Sequence, residues 1–208
     1  MKNYSLIGMS NVGKSFWRQR LGARGFISFW CDDQIEARLA KYLKKLGYQG
    51  IQDVAKWMGQ PYEKSFKTNQ ALYLEQEIAV MKDAVAMLRE SDNNVIIDTT
   101  GSVIYTGDEV MIQLREFSTI VLLDAPDSLQ NELYRAYIAK PKPVIWGNVF
   151  KPLPAESSNE ALARCYPLLL KRRSEIYKRY ADIILDYHEL RSPTFTTDDF
   201  LRKIGFVE

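Results

Sequence analysis

An eight-residue run near the start of the chain constrains its fold more than any other feature. Gly8-Met9-Ser10-Asn11-Val12-Gly13-Lys14-Ser15 fits G-x-x-x-x-G-K-[ST] at every fixed position. It follows a short apolar run, Tyr4–Ile7, and opens a helix-length segment, Lys14–Leu21. A strand, a glycine turn and a helix in that order make a phosphate cradle. The glycines let successive backbone N–H groups turn towards one anion, and the helix N-terminus adds its positive end. Lys14 is placed to reach β- and γ-phosphates and Ser15 to ligate Mg²⁺. The segment therefore predicts a nucleotide site with Gly8, Asn11, Val12, Gly13, Lys14, Ser15 and Phe16 around the phosphates.

The remaining pattern agrees with such a site. Apolar runs at Tyr4–Ile7, Phe26–Trp30, Asn94–Asp98, Thr119–Leu123 and Asp182–Leu185 read as strands. Helices are predicted over Lys14–Leu21, Gln34–Leu46, Gln70–Glu90, Asp108–Phe117, Asp127–Ile138, Asn159–Tyr180 and Asp199–Ile204. In Gln70–Glu90 the core face is read from Leu74, Ile78, Met81, Val85 and Leu88. Strands alternating with helices predict an α/β fold: a three-layer α/β/α domain on a five-stranded parallel sheet. One domain is expected to fill residues 1–208, with a helical substrate-binding segment near 37–90. A proline-rich loop near 139–158, with Pro141, Pro143, Pro152 and Pro154, reads as a lid.

Composition excludes other classes. A hydrophobic share of 46% with 26% charged residues is not that of a disordered chain. Twenty-eight basic against 26 acidic residues leave a net charge of +2, which gives no reason to expect a nucleic-acid partner. Cys31, Cys165 and His188 are too few for a disulfide framework or a histidine-rich metal centre. No run approaches the roughly 20 apolar residues of a membrane span, and the first residues lack a signal-peptide core. A soluble, cytoplasmic monomer is expected.

Ligands in open parallel sheets gather at the carboxyl ends of the strands. Asp32 and Asp33 follow the second strand, Asp98 ends the third and Asp124 the fourth. Carboxylates there can hold Mg²⁺ through water or take a proton from an attacking hydroxyl, or they can cap the next helix. Thr99-Thr100-Gly101-Ser102 forms a second small-residue turn able to offer N–H groups and hydroxyls. Trp17, Trp30, Trp57 and Trp146 read as packing residues, Trp30 with a minority reading as a cavity wall.

The phosphate loop, Asp32-Asp33-Gln34-Ile35-Glu36, Leu133-Tyr134-Arg135 and Arg172-Arg173-Ser174-Glu175-Ile176-Tyr177 with Tyr180-Ala181-Asp182 together resemble the shikimate kinases. The resemblance implies transfer of the γ-phosphoryl group of ATP, with Mg²⁺, to the 3-hydroxyl of shikimate in aromatic amino acid biosynthesis. It places the substrate aspartate on Asp32 or Asp33 and the adenine-side arginine on Arg135. Lys142, before Pro143, stands for the lid arginine, with Lys151 as a second candidate. Arg173 corresponds to one of two arginines for the substrate carboxylate, and Asp98 assists the metal with Ser15. Thr99-Thr100-Gly101 stands where the family has three glycines, so Thr100 and Gly101 are expected at the substrate. The other arginine has no counterpart among Lys64, Lys67 and Leu74. A kinase for another polyol or sugar acid, or a non-catalytic nucleotide binder, fits the same motifs.

Overall fold

The computed structural model describes residues 2–206. Five strands, β1 (Tyr4–Ile7), β2 (Ile27–Trp30), β3 (Val95–Asp98), β4 (Thr119–Asp124) and β5 (Ile183–Asp186), form one parallel sheet in the order β2-β3-β1-β4-β5. The interior strands β1, β3 and β4 are nearly all apolar because both faces are covered. The chain runs outward from β1 to β2 and returns through β3 to β4 and β5. With right-handed crossovers, that reversal puts helices on both faces. Helices α1 (Lys14–Gly22) and α9 (Thr197–Lys203) contact each other. The opposite layer holds α2 (Cys31–Leu43), α3 (Ile51–Met58), α4 (Phe66–Glu90), α5 (Asp108–Phe117) and α7 (Ser158–Tyr180). The three-layer expectation holds.

The reversal falls at β1, so the loop after β1 sits where neighbouring loops diverge and leave a crevice. Register aligns the functional strand ends: Leu6 pairs with Asp98, and Asp98 with Trp30. The phosphate loop, the turn after Asp98 and the start of α2 therefore lie side by side.

Several elements differ from expectation. Helix α2 begins at Cys31, directly after β2, with Cys31, Ile35, Leu39 and Leu43 buried at four-residue spacing. Asp32 and Asp33 thus occupy a first helical turn, where the helix dipole favours carboxylates. Helix α3 and the short α8 (Tyr187–Leu190) were not foreseen, and α6 (Gln130–Ala139) is preceded by a 3₁₀ turn at Asp127–Leu129. In α4 the buried face runs through Tyr73, Glu77, Val80, Met81, Ala84, Val85 and Leu88, while Leu74 and Ile78 are only half-buried. The face is rotated towards Glu77 because polar partners take that carboxylate into the core.

Residues 139–158 are largely irregular, as expected, but their middle is core. Val144, Ile145 and Trp146 are buried, and Trp146 packs on Tyr137, Phe150 and Tyr166. The Trp146 backbone N–H donates to Gln70 Oε1 at 2.8 Å. Trp17 is likewise buried and stacks on Phe200 at 4.4 Å.

Candidate active site

The turn from β1 into α1 is possible only with left-handed backbone at several points. Gly8 has φ +139°, and a Cβ there would meet the Leu123 carbonyl oxygen at 2.7 Å. Asn11 and Gly13 also have positive φ, 69° and 112°. Lys14 reaches back across the loop, its Nζ donating to Gly8 O at 2.9 Å and Met9 O at 2.8 Å. Burial lowers its pKa from 10.5 to about 8, against the opposing pull of Asp98 and Asp32. An ammonium whose charge is disfavoured by desolvation gains most from a phosphate partner.

Two adjoining cavities open here. One, of about 230 Å³, is bounded by Ser10, Asn11, Gly13–Phe16, Asp32, Asp98, Thr99–Gly101 and Lys142. The other, of about 270 Å³, shares Ser15, Asp32, Asp98 and Lys142, and is closed by Arg18, Trp30, Cys31, Asp33, Glu36, Gly50 and Ile51. Asp32 and Asp98 are the carboxylates common to both, Asp32 with Lys142 Nζ at 4.0 Å; Asp33 is exposed and borders only the second cavity. Partial burial, reinforced by Asp98, raises the Asp32 pKa, while Lys142 and Lys14 oppose the rise. Asp98 lies 3.5 Å from Arg18 Nε, and the Arg18 guanidinium covers the Trp30 ring at 3.9 Å. Trp30 is 46% exposed, so the minority expectation of a cavity wall is the one its position matches.

The turn after β3 is held from behind. Thr99 Oγ1 donates to Leu6 O at 2.7 Å, and Thr100 Oγ1 donates to Glu77 Oε1. Ser102 Oγ donates to Glu77 Oε2 at 2.8 Å. The three hydroxyls therefore donate within the protein, while Thr99, Thr100 and Gly101 border the first cavity. Gly101 abuts the phosphate loop so closely that a Cβ would lie 2.9 Å from Ser10 Oγ. Glu77 has no exposed surface, and burial raises its pKa from 4.5 to about 7 despite the Thr100 and Ser102 hydrogen bonds.

Other expected residues stand elsewhere. Arg173 is 3% exposed and bounds neither cavity; Nη1 donates to Gly101 O and Nη2 to Ile145 O, both at 2.9 Å. Two of its guanidinium nitrogens thus hold backbone carbonyls, while Nε is buried without a hydrogen-bond partner. Arg135 is exposed on α6, outside both cavities, and the Val12 side chain is in the core. Lys142 borders both cavities, whereas Lys151 is exposed away from them. Asp124 pairs with Lys178 at 3.0 Å, and Cys31 is buried with its thiol against Met81 Sδ at 3.6 Å. Arg191 was not foreseen: its Nη2 reaches Asn11 O at 3.4 Å across Gly13. Its only sequence signal was a basic residue shortly after the last strand. Glu77 carried a clearer signal, as a carboxylate on the apolar face of a long helix.

Three solved structures share this architecture. Shikimate kinase from Acinetobacter baumannii, in complex with shikimate, is 21% identical with a TM-score of 0.58, covering 98% of this chain and 90% of that one. Shikimate kinase from Aquifex aeolicus is 19% identical with a TM-score of 0.56, covering 98% and 96%. The fold is that of the shikimate kinases. The enzyme from Bacteroides thetaiotaomicron, 16% identical with a TM-score of 0.57, covers 97% and 95%. No protein-family model matches the chain, and no curated protein matches it in sequence. Among the described residues, no helix is long and apolar enough to cross a membrane. Likewise, no group of three or more His, Cys, Asp or Glu is placed to hold a metal ion by itself. Ser15 and Asp98 nevertheless offer hard oxygen donors on one cavity wall, the chemistry Mg²⁺ takes when phosphates and water complete its shell.

Proposed function

We propose that this chain is an ATP-dependent phosphotransferase that moves the γ-phosphoryl group to a hydroxyl of a small molecule. The observation that carries the reading is the convergence of Lys14, Lys142 and Asp32 on one cavity at the phosphate loop. Phosphoryl transfer needs little covalent help from the protein. It needs positioning and positive charge around the equatorial oxygens. On binding nucleotide, Lys14 exchanges its two carbonyl partners for phosphate oxygens, and Lys142 approaches from the opposite wall. Mg²⁺, held by Ser15 and through water by Asp98, supplies charge neutralisation when bound. Asp32 orients the acceptor hydroxyl and accepts its proton, and its raised pKa makes it a better base than an ordinary aspartate. Arg191 and Phe16, at the outer rim of the loop, flank the path to the base. Residues 139–158 act as the lid, with Lys142 as the working cation and Val144–Trp146 as its fixed root.

Shikimate is the first acceptor to test, since the three solved neighbours are shikimate kinases and one holds shikimate. The decisive assay is ADP release from MgATP with and without shikimate, in wild type and Lys14→Ala. Acceptor-dependent, Lys14-dependent turnover supports the reading. Nucleotide binding without turnover on any hydroxyl compound overturns it.

A further inference from the structure

Resting on that reading, we infer that Arg18 is a specificity-determining residue. Its guanidinium, held flat on Trp30, binds the carboxylate of a small hydroxy acid whose hydroxyl lies at Asp32. The first observation is a set of unused donors. A guanidinium carries five N–H groups and no acceptor, and in folded proteins buried donors are nearly always hydrogen-bonded. Arg18 makes no hydrogen bond among the described residues, although its side chain is only 13% exposed. Nε is buried, and Asp98 Oδ2 stands off it at 3.5 Å without a hydrogen bond. Nη1 and Nη2, which are not buried, make none either, and the side chain borders the acceptor-side cavity. Arg173 differs on both counts, since two of its nitrogens hold Gly101 O and Ile145 O and it borders neither cavity.

The second observation is that this guanidinium is already ordered. Helix α1 carries it one turn beyond Ser15, the Trp30 ring covers one of its faces at 3.9 Å, and Asp98 fixes its charge. A planar fork held in place before the ligand arrives loses little freedom on pairing, and its shape matches a carboxylate. The third observation is the charge around it. Asp32, Asp33, Glu36 and Asp98 line the same cavity, and its other cation, Lys142, faces Asp32. An anionic group is therefore repelled everywhere except beside Arg18, and the acceptor enters in one orientation, with its hydroxyl donors towards the carboxylates. A dianionic phosphate meets about twice that repulsion, so a monocarboxylate is the better occupant. The volume of about 270 Å³ suits a single ring or a short chain. The anchor thus lies on α1, and not at Arg173 on α7, where the resemblance placed it.

The test is calorimetric titration of the full chain, saturated with Mg·ADP. Shikimate and gluconate serve as carboxylate probes, myo-inositol as the uncharged probe and glucose 6-phosphate as the dianion. Mg·ADP affinity and the melting temperature, measured first for each variant, report whether the phosphate loop and Asp98 are intact. At least one carboxylate is expected to bind about tenfold more tightly than myo-inositol or glucose 6-phosphate. Arg18→Gln should weaken that binding about 10- to 100-fold, and Arg18→Lys, which keeps the charge without the fork, about tenfold. Trp30→Ala should cost about threefold, and Trp30→Phe should recover most of it. Where Arg18→Gln melts early, Arg18→Lys decides. Carboxylate binding within about twofold of wild type in the intact Arg18 variant overturns the inference. So does tighter binding of myo-inositol or glucose 6-phosphate, or silence of both carboxylates up to about 10 mM. Parallel ADP-release assays separate the two claims. Arg18-dependent binding never followed by ADP release refutes phosphotransfer and leaves the anchor standing, whereas acceptor-dependent release indifferent to Arg18 does the reverse.

Discussion

Replacing Glu77 with glutamine should change how the protein's stability depends on pH, and by a calculable amount. Glu77 is wholly buried on α4, and its carboxylate meets two hydroxyls but no cation within hydrogen-bonding distance. Its pKa rises from 4.5 to about 7, chiefly through desolvation. Because the folded value lies above the unfolded one, the folded state binds more protons between those limits. The associated stability is present below about pH 4.5 and is lost as pH climbs through 7. That gap in pKa corresponds to about 3 kcal/mol. Glutamine has nearly the same shape and does not titrate, so the variant escapes the loss. Relative to wild type, Glu77→Gln should gain about 3 kcal/mol between pH 4.5 and 8, whatever fixed offset the amide introduces. For a chain of this length that is roughly 6–12 °C in the difference between the two melting temperatures. Thermal melts of both proteins at several pH values and constant ionic strength measure it. Parallel curves would show that Glu77 titrates normally in the fold, and the desolvation argument would fail.

Three further outcomes follow from the site. Nucleotide phosphate should pull the Lys14 pKa up from about 8, so ADP binding at pH 8.5 should take up protons. A binding enthalpy independent of buffer ionisation at that pH contradicts this. Asp32→Asn should lower kcat by roughly 10²–10⁴ with ADP affinity little changed, whereas Asp33→Asn, altering an exposed residue, should cost about tenfold or less. Equal effects of the two would remove Asp32 from its role. Gly8→Ala forces a Cβ to within 2.7 Å of the Leu123 carbonyl at φ +139°, and should destabilise the fold by at least about 2 kcal/mol. A melt within about 2 °C of wild type would mean that the loop accommodates it.

The strands were legible within a residue or two because buried parallel strands are short apolar runs with little else to be. The phosphate loop was legible because left-handed turns and a buried lysine demand particular residues. What escaped were choices made between segments. Helix α3 has apolar residues at Ile51, Val54, Ala55 and Met58 between Gly50 and Gly59, a helical spacing shorter than the window that would reveal it. The face of α4 was misjudged because counting apolar positions passes over Glu77, whose burial depends on hydroxyls 23 and 25 residues away. Arg173 was found at the right end of the sheet, but its two backbone partners were not foreseen, because they are set by chain trace and no motif encodes them. Residues 139–158 were correctly read as irregular, but prolines do not reveal that Trp146 between them is buried.

Arg173 also has a mechanical consequence. One of its nitrogens holds Gly101, which presses on Ser10 of the phosphate loop; the other holds Ile145, three residues from Lys142. The guanidinium is thus a tie-rod between the back wall of the crevice and the strap that carries the roof's cation. A molecule that shifts Gly101 on entering tugs the strap through two hydrogen bonds, and a strap displaced by nucleotide tugs back. Cutting the rod should leave both halves standing while making each indifferent to what the other has bound.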